Sequence, residues 1–303
     1  MAVLYRFPLV LPSASAAVYT PVVIWHGMGD SCCGGILDLA AQLQERLPGV
    51  YVYSVRIGAS EDEDRDHGYF DVISRQVDEV CEQLKSDPLL SSGFNAIGFS
   101  QGGLLMRAYV EKCDGPAVRN LITMGSPHGG IAHFPGCMGK DTAKCELARS
   151  LLLRGAYIPW IQNRVVQAQY YRDPRNIKLY LERNIFLPYV NNELNQNKQY
   201  ADRLKSLHNL VLVRFEPDDM VVPRDSAWFA NLDKDGAVVP LEQQDLWTED
   251  RLGLRFLNDN GRLHFLTAPG PHMNGTADYI LNVILEPFLD NELAKDPVLV
   301  LQQ

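Results

Sequence analysis

A Gly-x-Ser-x-Gly pentapeptide is the segment whose residue types point most directly to chemistry. Its central residue is Ser100, which follows the apolar run 95–99 and precedes the apolar run 104–110. This order is typical of a strand, a sharp turn and a helix, because glycines two residues on either side of the serine lack the Cβ atoms that would obstruct the passing backbone. The segment predicts a nucleophile elbow with Ser100 as the nucleophile, although a Gly-rich turn without catalytic function would show the same five residues.

A serine nucleophile requires two partners, a base and an acid. Its hydroxyl is a poor nucleophile at neutral pH, so an imidazole must take its proton and a carboxylate must orient that imidazole. Of the seven histidines, His272 is the one that follows the last predicted strand and lies after a candidate acid in the chain. Asp218 and Asp219 both follow the strand predicted at 210–215, and spacing alone leaves both open, with Asp218 the nearer. The predicted triad is Ser100, Asp218 and His272, in the chain order nucleophile, acid, histidine.

Acyl transfer also requires hydrogen-bond donors for the negative charge that develops on the substrate oxygen. At a nucleophile elbow, one donor is the backbone N–H of the residue after the nucleophile, here Gln101. The second comes from a loop after an early strand, and the Gly-rich run 26–29 after the strand predicted at 22–25 fits that description. Met28 is the predicted second donor; without catalysis, the same run would be an ordinary glycine turn.

Short runs rich in β-branched residues alternate with helical patterns along most of the chain. This alternation is typical of a largely parallel sheet with crossover helices. The acidic run 61–64 is predicted to be a solvated loop. The predicted strands are 22–25, 51–55, 95–99, 121–124, 210–215 and 263–268, and the predicted helices beside them include 36–47, 72–84 and 277–285.

The strand pattern stops between residues 131 and 207, where helical patches occur at 145–153 and 160–170. The loops at the carboxyl ends of the strands can grow freely, so this segment is predicted to be a helical insertion over the sheet. Its aromatic and aliphatic side chains could line an apolar groove or pack within the insertion itself. The predicted groove walls are Trp160, Ile185 and Phe186.

Composition excludes several classes of function. The chain has 303 residues, 46% of them hydrophobic, and a formal net charge of -9, as expected of an ordinary globular protein. This acidic balance argues against nucleic acid and anionic membrane surfaces as partners. There is no run of about 18 apolar residues that would predict a membrane span. Residues 1–17 resemble a truncated signal peptide and are equally compatible with a loosely packed arm.

Six cysteines, an even number, are compatible with three disulfides and an oxidising compartment. Their number alone leaves 15 connectivities open. A zinc site is disfavoured, because the sequence has no Cys-x-x-Cys pair and no histidine at ligand spacing from a cysteine. The chemistry of the predicted triad needs no cofactor and no metal.

Several motifs, taken together and in order, closely resemble those of the palmitoyl-protein thioesterase family. They are the runs 25–33, 95–103 and 250–254, together with Asp218 followed by Val221 and Pro223. The resemblance extends from about residue 21 to residue 289 and includes the segment predicted as an insertion.

This resemblance implies an α/β-hydrolase fold over 18–292, with a helical lid at 131–207 that forms the fatty-acyl groove. It assigns Ser100 as nucleophile, Asp218 rather than Asp219 as acid and His272 as base, with Met28 and Gln101 as the oxyanion donors. It implies S-acylated proteins or peptides as substrates, and the lysosome, or secretion through the same pathway, as the location. The implied disulfides are Cys32–Cys33, Cys81–Cys113 and Cys137–Cys145.

Two departures leave the substrate open. The loop 125–129 looks more like that of neutral lipases, and Pro271 stands where an acidic residue is expected before the histidine. The alternatives are therefore a lipase or carboxylester hydrolase with the same triad, and a noncatalytic binding protein, which would have no need to keep the triad and the oxyanion loop. Asn274 begins the only glycosylation sequon, and its closeness to His272 favours an unmodified side chain.

Overall fold

A computed structural model describes residues 19–136 and 142–290 of the chain. A six-stranded sheet lies at the centre in the order β2-β1-β3-β4-β5-β8, and all its neighbouring strands run parallel. The two remaining strands, β6 and β7, form a separate antiparallel pair. The strands are β1 (Val22–Trp25), β2 (Val52–Ser54), β3 (Phe94–Phe99), β4 (Val118–Met124), β5 (Asn209–Phe215), β6 (Asn231–Leu232), β7 (Val238–Val239) and β8 (Leu263–Ala268).

Helices cover both faces of this sheet. Four 3₁₀ turns lie at Pro88–Leu90, Val166–Gln169, Arg224–Trp228 and Leu241–Gln243, and a π-helix at Ile280–Leu289. The α-helices are α1 (Gly35–Arg46), α2 (Glu61–His67), α3 (Ile73–Ser86), α4 (Gln101–Lys112), α5 (Thr142–Gly155), α6 (Pro159–Gln162), α7 (Ile177–Arg183), α8 (Leu187–Val190), α9 (Lys198–Lys205), α10 (Asp245–Thr248), α11 (Leu254–Asp259) and α12 (Thr276–Tyr279).

The strands divide the apolar core into two clusters, because successive side chains of a strand point to opposite faces. Val23 and Trp25 of β1 pack with α3, α4 and the helices that follow β4. Val22 and Ile24 of the same strand pack with α1 and the π-helix. Burial on both faces explains why these strands read as continuous apolar runs. The predicted α/β architecture, a mostly parallel sheet flanked by helices, is confirmed.

The acidic run 61–64 is not a loop, which corrects the prediction. It forms the first turn of α2, where the hydroxyl oxygen of Ser60 accepts the N–H of Glu63. Four carboxylates in that turn are favourable because the N-terminus of a helix carries partial positive charge. Asp64 is buried and accepts the backbone N–H groups of Cys32 and Ile57. The run therefore contains one structural carboxylate beside solvated ones.

The segment between β4 and β5 is built of short helices, as expected for an insertion. The patch predicted as one helix at 160–170 is divided between α6 and a 3₁₀ turn. The division occurs because Val165 pairs with Phe70 in an isolated antiparallel bridge and Val166 donates its N–H to the Tyr69 carbonyl at 3.0 Å. The limits 18–292 for the domain and 131–207 for the lid remain predictions.

Candidate active site

Ser100 stands at the corner between β3 and α4 with backbone angles φ 50° and ψ −121°. The corner is tight enough to exclude side chains on both sides. A Cβ on Gly98 would lie 2.2 Å from the Gly103 Cα, and a Cβ on Gly102 would lie 2.2 Å from the His26 carbonyl oxygen. Glycine is therefore required at both positions, and the strained corner holds the Ser100 side chain out at the carboxyl edge of the sheet.

The structure brings the three predicted triad residues together, although they lie on three separate loops. The Ser100 Oγ is 2.9 Å from His272 Nε2, and His272 Nδ1 is 2.7 Å from Asp218 Oδ2. A carboxylate can only accept, so Nδ1 carries the proton and Nε2 is left to accept the Ser100 hydroxyl proton. This tautomer is the one that a general base requires.

Asp218 rather than Asp219 reaches the histidine. The second carboxylate oxygen of Asp218 accepts the N–H groups of Met220 and Val221 at 2.9 and 3.0 Å, which fixes the orientation of the carboxylate. Its side chain is 1% exposed, whereas Asp219 is exposed. The two aspartates that spacing left open are thus distinguished by their geometry.

The two predicted oxyanion donors lie beside Ser100. Gln101 is the first residue of α4, so its N–H has no acceptor within the helix. The loop after β1 packs directly on the elbow, since a Cβ on Gly27 would be 3.2 Å from the Ser100 Cβ. Met28 and Ser100 line the same cavity. Both residues therefore lie next to Ser100, and their role as oxyanion donors remains a prediction.

The side chain of Gln101 is held by residues of the segment after β4. Its Oε1 accepts hydrogen bonds from Gln167 Nε2 at 3.0 Å and from the Tyr170 hydroxyl at 2.9 Å. Its Nε2 donates to the Gly68 carbonyl at 3.2 Å, an acceptor that Gln167 shares. These buried contacts fix the first residue of α4 against the insertion. Sequence reasoning missed them, because a glutamine gives no signal of a partner more than 60 residues away.

A buried ion pair holds the loop 26–29 that contains Met28. His26 Nε2 is 3.0 Å from Asp64 Oδ1, and His26 Nδ1 is 2.9 Å from the Gly27 carbonyl oxygen, so both ring nitrogens face acceptors. Burial by itself lowers the pKa of His26, but the contact with Asp64 outweighs it and the pKa is raised above its ordinary value. Burial raises the pKa of Asp64, yet the charge of His26 and the Ile57 and Cys32 amides lower it overall.

A second buried network joins the elbow helix to the insertion. Arg107 of α4 donates to Glu111, to the Val190 carbonyl and to Asn191, all within 2.7 to 2.9 Å. Burial raises the pKa of Glu111 to about 7, against the opposing charge of Arg107. Arg107 also donates to His128, whose pKa is lowered well below its ordinary value by burial and then by that cation. His128 is thus a buried neutral side chain away from the Ser100 hydroxyl.

A cavity of about 660 Å³ opens at Ser100 and His272. This volume lies within the range of sites that take small molecules or acyl chains. The walls come from the loop after β1, from α1, from the loop after β5 and from the segment after His272. The insertion contributes Ile131, Pro135 and Tyr170. Apolar side chains predominate in these walls: Met28, Ile36, Leu39, Phe99, Ile131, Tyr170, Val221, Met273 and Ala277.

Trp160, Ile185 and Phe186 are not among the described residues that line this cavity, and their role as groove walls remains a prediction without support from it. Trp160 is 54% exposed and carries the Arg164 guanidinium over its ring. Phe186 is buried in the core of the insertion, and Ile185 is half-buried. Apolar residue types alone cannot show on which side of a short helix a cavity lies.

Two of the implied disulfides are present, Cys32–Cys33 and Cys81–Cys113. Cys145 is disulfide-bonded as well, and its expected partner Cys137 lies outside the described residues. Within 19–136 and 142–290, no three His, Cys, Asp or Glu side chains are grouped so that they could hold a metal ion.

Asn274 is exposed, and the two residues after it line the cavity. A glycan on Asn274 would stand at the mouth of the cavity, so the unmodified state remains the prediction.

The possible signal peptide at 1–17 lies outside the described residues. In the part of the chain that the structure describes, no helix combines the length and the apolar character needed to cross a bilayer.

The family model and the relatives that this chain resembles are all described as thioesterases. The family model described as palmitoyl protein thioesterase matches residues 21–272, a segment that contains all three triad residues. Palmitoyl-protein thioesterase 1 of Caenorhabditis elegans is 42% identical over 279 residues, which cover 90% of this chain and 93% of that protein. Palmitoyl-protein thioesterase 3 of Dictyostelium discoideum is 34% identical, with 93% and 96% covered. The lysosomal thioesterase PPT2 homolog of Drosophila melanogaster is 28% identical, with 90% and 92% covered.

Proposed function

Since the chain belongs to the palmitoyl-protein thioesterase family, we propose that it is a serine thioesterase that removes long-chain fatty acyl groups, palmitate foremost, from S-acylated cysteines of proteins or peptides. The observation that carries the proposal is the hydrogen-bonded series Ser100, His272 and Asp218 at the floor of a largely apolar cavity. The reaction is acyl transfer through an acyl-enzyme, followed by hydrolysis.

In the acylation step, the Ser100 oxygen attacks the thioester carbonyl carbon while His272 Nε2 takes the hydroxyl proton. The carbonyl electron pair moves to oxygen, and the N–H groups of Met28 and Gln101 stabilise that charge. When the tetrahedral intermediate collapses, the C–S bond breaks and the imidazolium returns its proton to the cysteine thiolate. The products are a free thiol and a Ser100 ester of the fatty acid.

In the deacylation step, water takes the place of the serine. His272 removes a proton from the water as it attacks the ester carbonyl, and returns that proton to the Ser100 oxygen when the C–O bond breaks. Asp218 remains ionised throughout, because its role is to hold Nδ1–H and to stabilise the imidazolium that forms twice in each cycle. The cycle consumes one water and needs no cofactor.

The acyl chain is proposed to lie between α1 and the segment after His272. Ile36 and Leu39 of α1 line the cavity, as do Met273 and Ala277 after the histidine and Tyr170 of the insertion. Each methylene buried in such a groove contributes roughly 0.8 kcal/mol, or nearly fourfold in kcat/KM per carbon. Long chains are therefore the expected substrates, up to the length that fills the cavity.

The lysosome is the proposed location. Relatives from insect and mammals are named lysosomal thioesterases. Disulfides in this chain are in accord with an oxidising secretory route.

A chain-length series of acyl thioesters, each with its matched oxygen ester, tests this proposal. The expected result is a steep rise in kcat/KM with chain length and a preference for the thioester at every length. A flat profile from short to long chains would contradict the long-chain groove. A consistent preference for the oxygen esters would instead favour the lipase or carboxylester hydrolase that the loop 125–129 resembles.

A further inference from the structure

Several large apolar side chains of the insertion are exposed to solvent, and three of them lie within residues 153–160. Leu153 near the end of α5 is 71% exposed, Ile158 in the connection to α6 is 47% exposed, and Trp160 in α6 is 54% exposed. Single exposed apolar residues are ordinary on protein surfaces. Three exposed apolar side chains within eight residues of the chain, one of them tryptophan, are typical of a surface that binds a partner.

The same region carries the opposite charge to the protein as a whole. Residues 142–183 contain eight Lys or Arg and three Asp or Glu, whereas the whole chain has a formal net charge of -9. The net charge of the whole chain therefore conceals a basic segment, to which the argument from total charge against anionic surfaces does not apply. The basic residues are Lys144, Arg149, Arg154, Arg164, Arg172, Arg175, Lys178 and Arg183.

Part of this positive charge is not neutralised. Lys144, Arg149 and Lys178 pair with carboxylates of Asp66, Glu146 and Glu182. Arg154, Arg164 and Arg183 are exposed and form no ion pair within the described residues. They lie close to the exposed apolar side chains along the chain.

One contact and one shared cleft place two of these arginines near the apolar side chains. The Arg164 guanidinium lies 5.0 Å from the centroid of the Trp160 ring. Leu153, Ile158 and Arg183 line one shallow surface cleft together with Tyr171. The preceding residue, Tyr170, lines the cavity at Ser100, so adjacent residues of the chain contribute to the cleft and to that cavity.

We propose that Leu153, Ile158, Trp160, Arg154, Arg164 and Arg183, here termed the lid patch, dock the protein onto bilayers that contain anionic lipids. Aliphatic and tryptophan side chains beside arginines suit the interface of a membrane, where the apolar groups enter the acyl boundary and the cations meet the headgroups. The charge of the patch selects anionic lipid, because each arginine near such a surface contributes about fivefold in binding. Docking is independent of the proposed reaction and would bring the cavity close to membrane-anchored acyl groups.

Sedimentation of the full chain with phosphatidylcholine vesicles, with and without phosphatidylserine, tests the lid patch. The expected result is binding to the vesicles that contain phosphatidylserine, weakened by salt because exposed charges are screened. Arg154→Gln and Arg183→Gln should each weaken binding by about fivefold. Trp160→Ala and Leu153→Asp should weaken it further.

Val238→Asp provides the matched control, because Val238 is 46% exposed on β7 and lies outside the lid patch. It should leave vesicle binding unchanged. Hydrolysis of a soluble short-chain thioester should be unchanged in all five variants, which separates docking from folding and catalysis. Equal binding to pure phosphatidylcholine, no binding, or equal loss in the control would each overturn the proposal. Concentration-dependent dimerisation that Trp160→Ala abolishes would overturn it in favour of a second copy of the chain.

Discussion

Asp218 and Asp219 occupy adjacent positions, yet only the first has a carboxylate in contact with His272. Asp218→Asn should lower kcat by about 10⁴-fold, because an amide at this position favours the wrong imidazole tautomer. Asp219→Asn should change kcat much less, since that side chain is exposed. Steady-state hydrolysis of a palmitoyl thioester by the two variants measures the difference. A larger loss in Asp219→Asn would show that the acid is assigned to the wrong residue.

The buried His26–Asp64 pair predicts a particular dependence of stability on pH. The pKa of His26 is raised, so its contribution is fully present below its ordinary value of 6.5 and is lost as pH rises through the folded-state pKa. The pKa of Asp64 is lowered, so its contribution is present above 3.8 and is lost as pH falls through the folded-state pKa. Between these limits the pair stabilises the fold most.

Asp64→Asn should therefore lower the free energy of unfolding by about 3 to 5 kcal/mol at mildly acidic pH, the cost of leaving one buried partner unpaired. Urea unfolding of wild type and variant across pH 4 to 9 measures this cost, which should shrink at alkaline pH where His26 is neutral. Glu63→Gln, at an exposed position of the same helix, is the control. A cost that stays constant with pH would mean that the pair is not ionic.

Local motifs made the proposed catalytic residues recognisable in the sequence. The buried residues that hold the surrounding elements together have no such motif. The elbow around Ser100 is a contiguous pattern that steric limits impose, and the strand ends indicated where His272 would lie. No contiguous pattern marks Arg107 or Gln167, whose partners come from distant segments. The helix that contains Asp64 did have a signal in the sequence. Ser60 followed three residues later by Glu63 is a helix-capping pattern, which predicts a helix rather than a loop.

At the scale of elements, the acyl chain is proposed to lie between α1 and the segment after His272, with Ile131, Pro135 and Tyr170 of the insertion in the same cavity. Ala277→Phe should fill the cavity between α1 and that segment and shorten the acyl chains that the protein accepts. We expect kcat/KM for palmitoyl thioesters to fall by more than tenfold, as two or more methylenes lose their place, while short-chain thioesters react almost as before.

The matched control for Ala277→Phe is Ile185→Ala. Ile185 is one of the predicted walls and does not line the cavity among the described residues. Its chain-length profile with soluble substrates should follow that of the wild type. If Ile185→Ala flattened the profile and Ala277→Phe did not, the acyl chain would lie in the insertion after all.

The sheet was more predictable than the insertion for a physical reason. Strands buried on both faces, such as β5, appear as unbroken apolar runs bounded by polar loops. Apart from α5, the helices of the insertion are short, and several have only four residues, which span too few turns for apolar periodicity to emerge. Its position over the sheet could be predicted from topology, but the orientation of Trp160 and Phe186 could not.

For the molecule as a whole, the disulfides predict that no thiol is free in the folded protein. The structure contains no free cysteine among its described residues. Alkylation without reductant, followed by mass spectrometry, should leave all six cysteines unmodified, and alkylation after reduction in denaturant should modify all six. Two or more alkylated cysteines in folded material would contradict the oxidised framework and the secretory route with it.

Whole-molecule charge illustrates a limit of composition. A net charge of -9 is correct for the chain, yet residues 142–183 are basic because charge is unevenly distributed along it. The fold class and the chain order of the predicted triad could be predicted, because strand, turn and helix patterns recur along the sequence. The character of a local surface depends on which side chains face solvent, and only the folded structure shows that.

Turnover of an S-palmitoylated peptide by Ser100→Ala, beside the wild type, tests the central claim most directly. The Ser100 hydroxyl is hydrogen-bonded to His272, which is hydrogen-bonded in turn to Asp218, so the substitution removes the group that the histidine would activate. We expect kcat to fall on the order of 10⁴-fold or more, with an unchanged circular dichroism spectrum. A folded Ser100→Ala variant that released palmitate at a rate within tenfold of the wild type would contradict the assignment of Ser100 as the nucleophile.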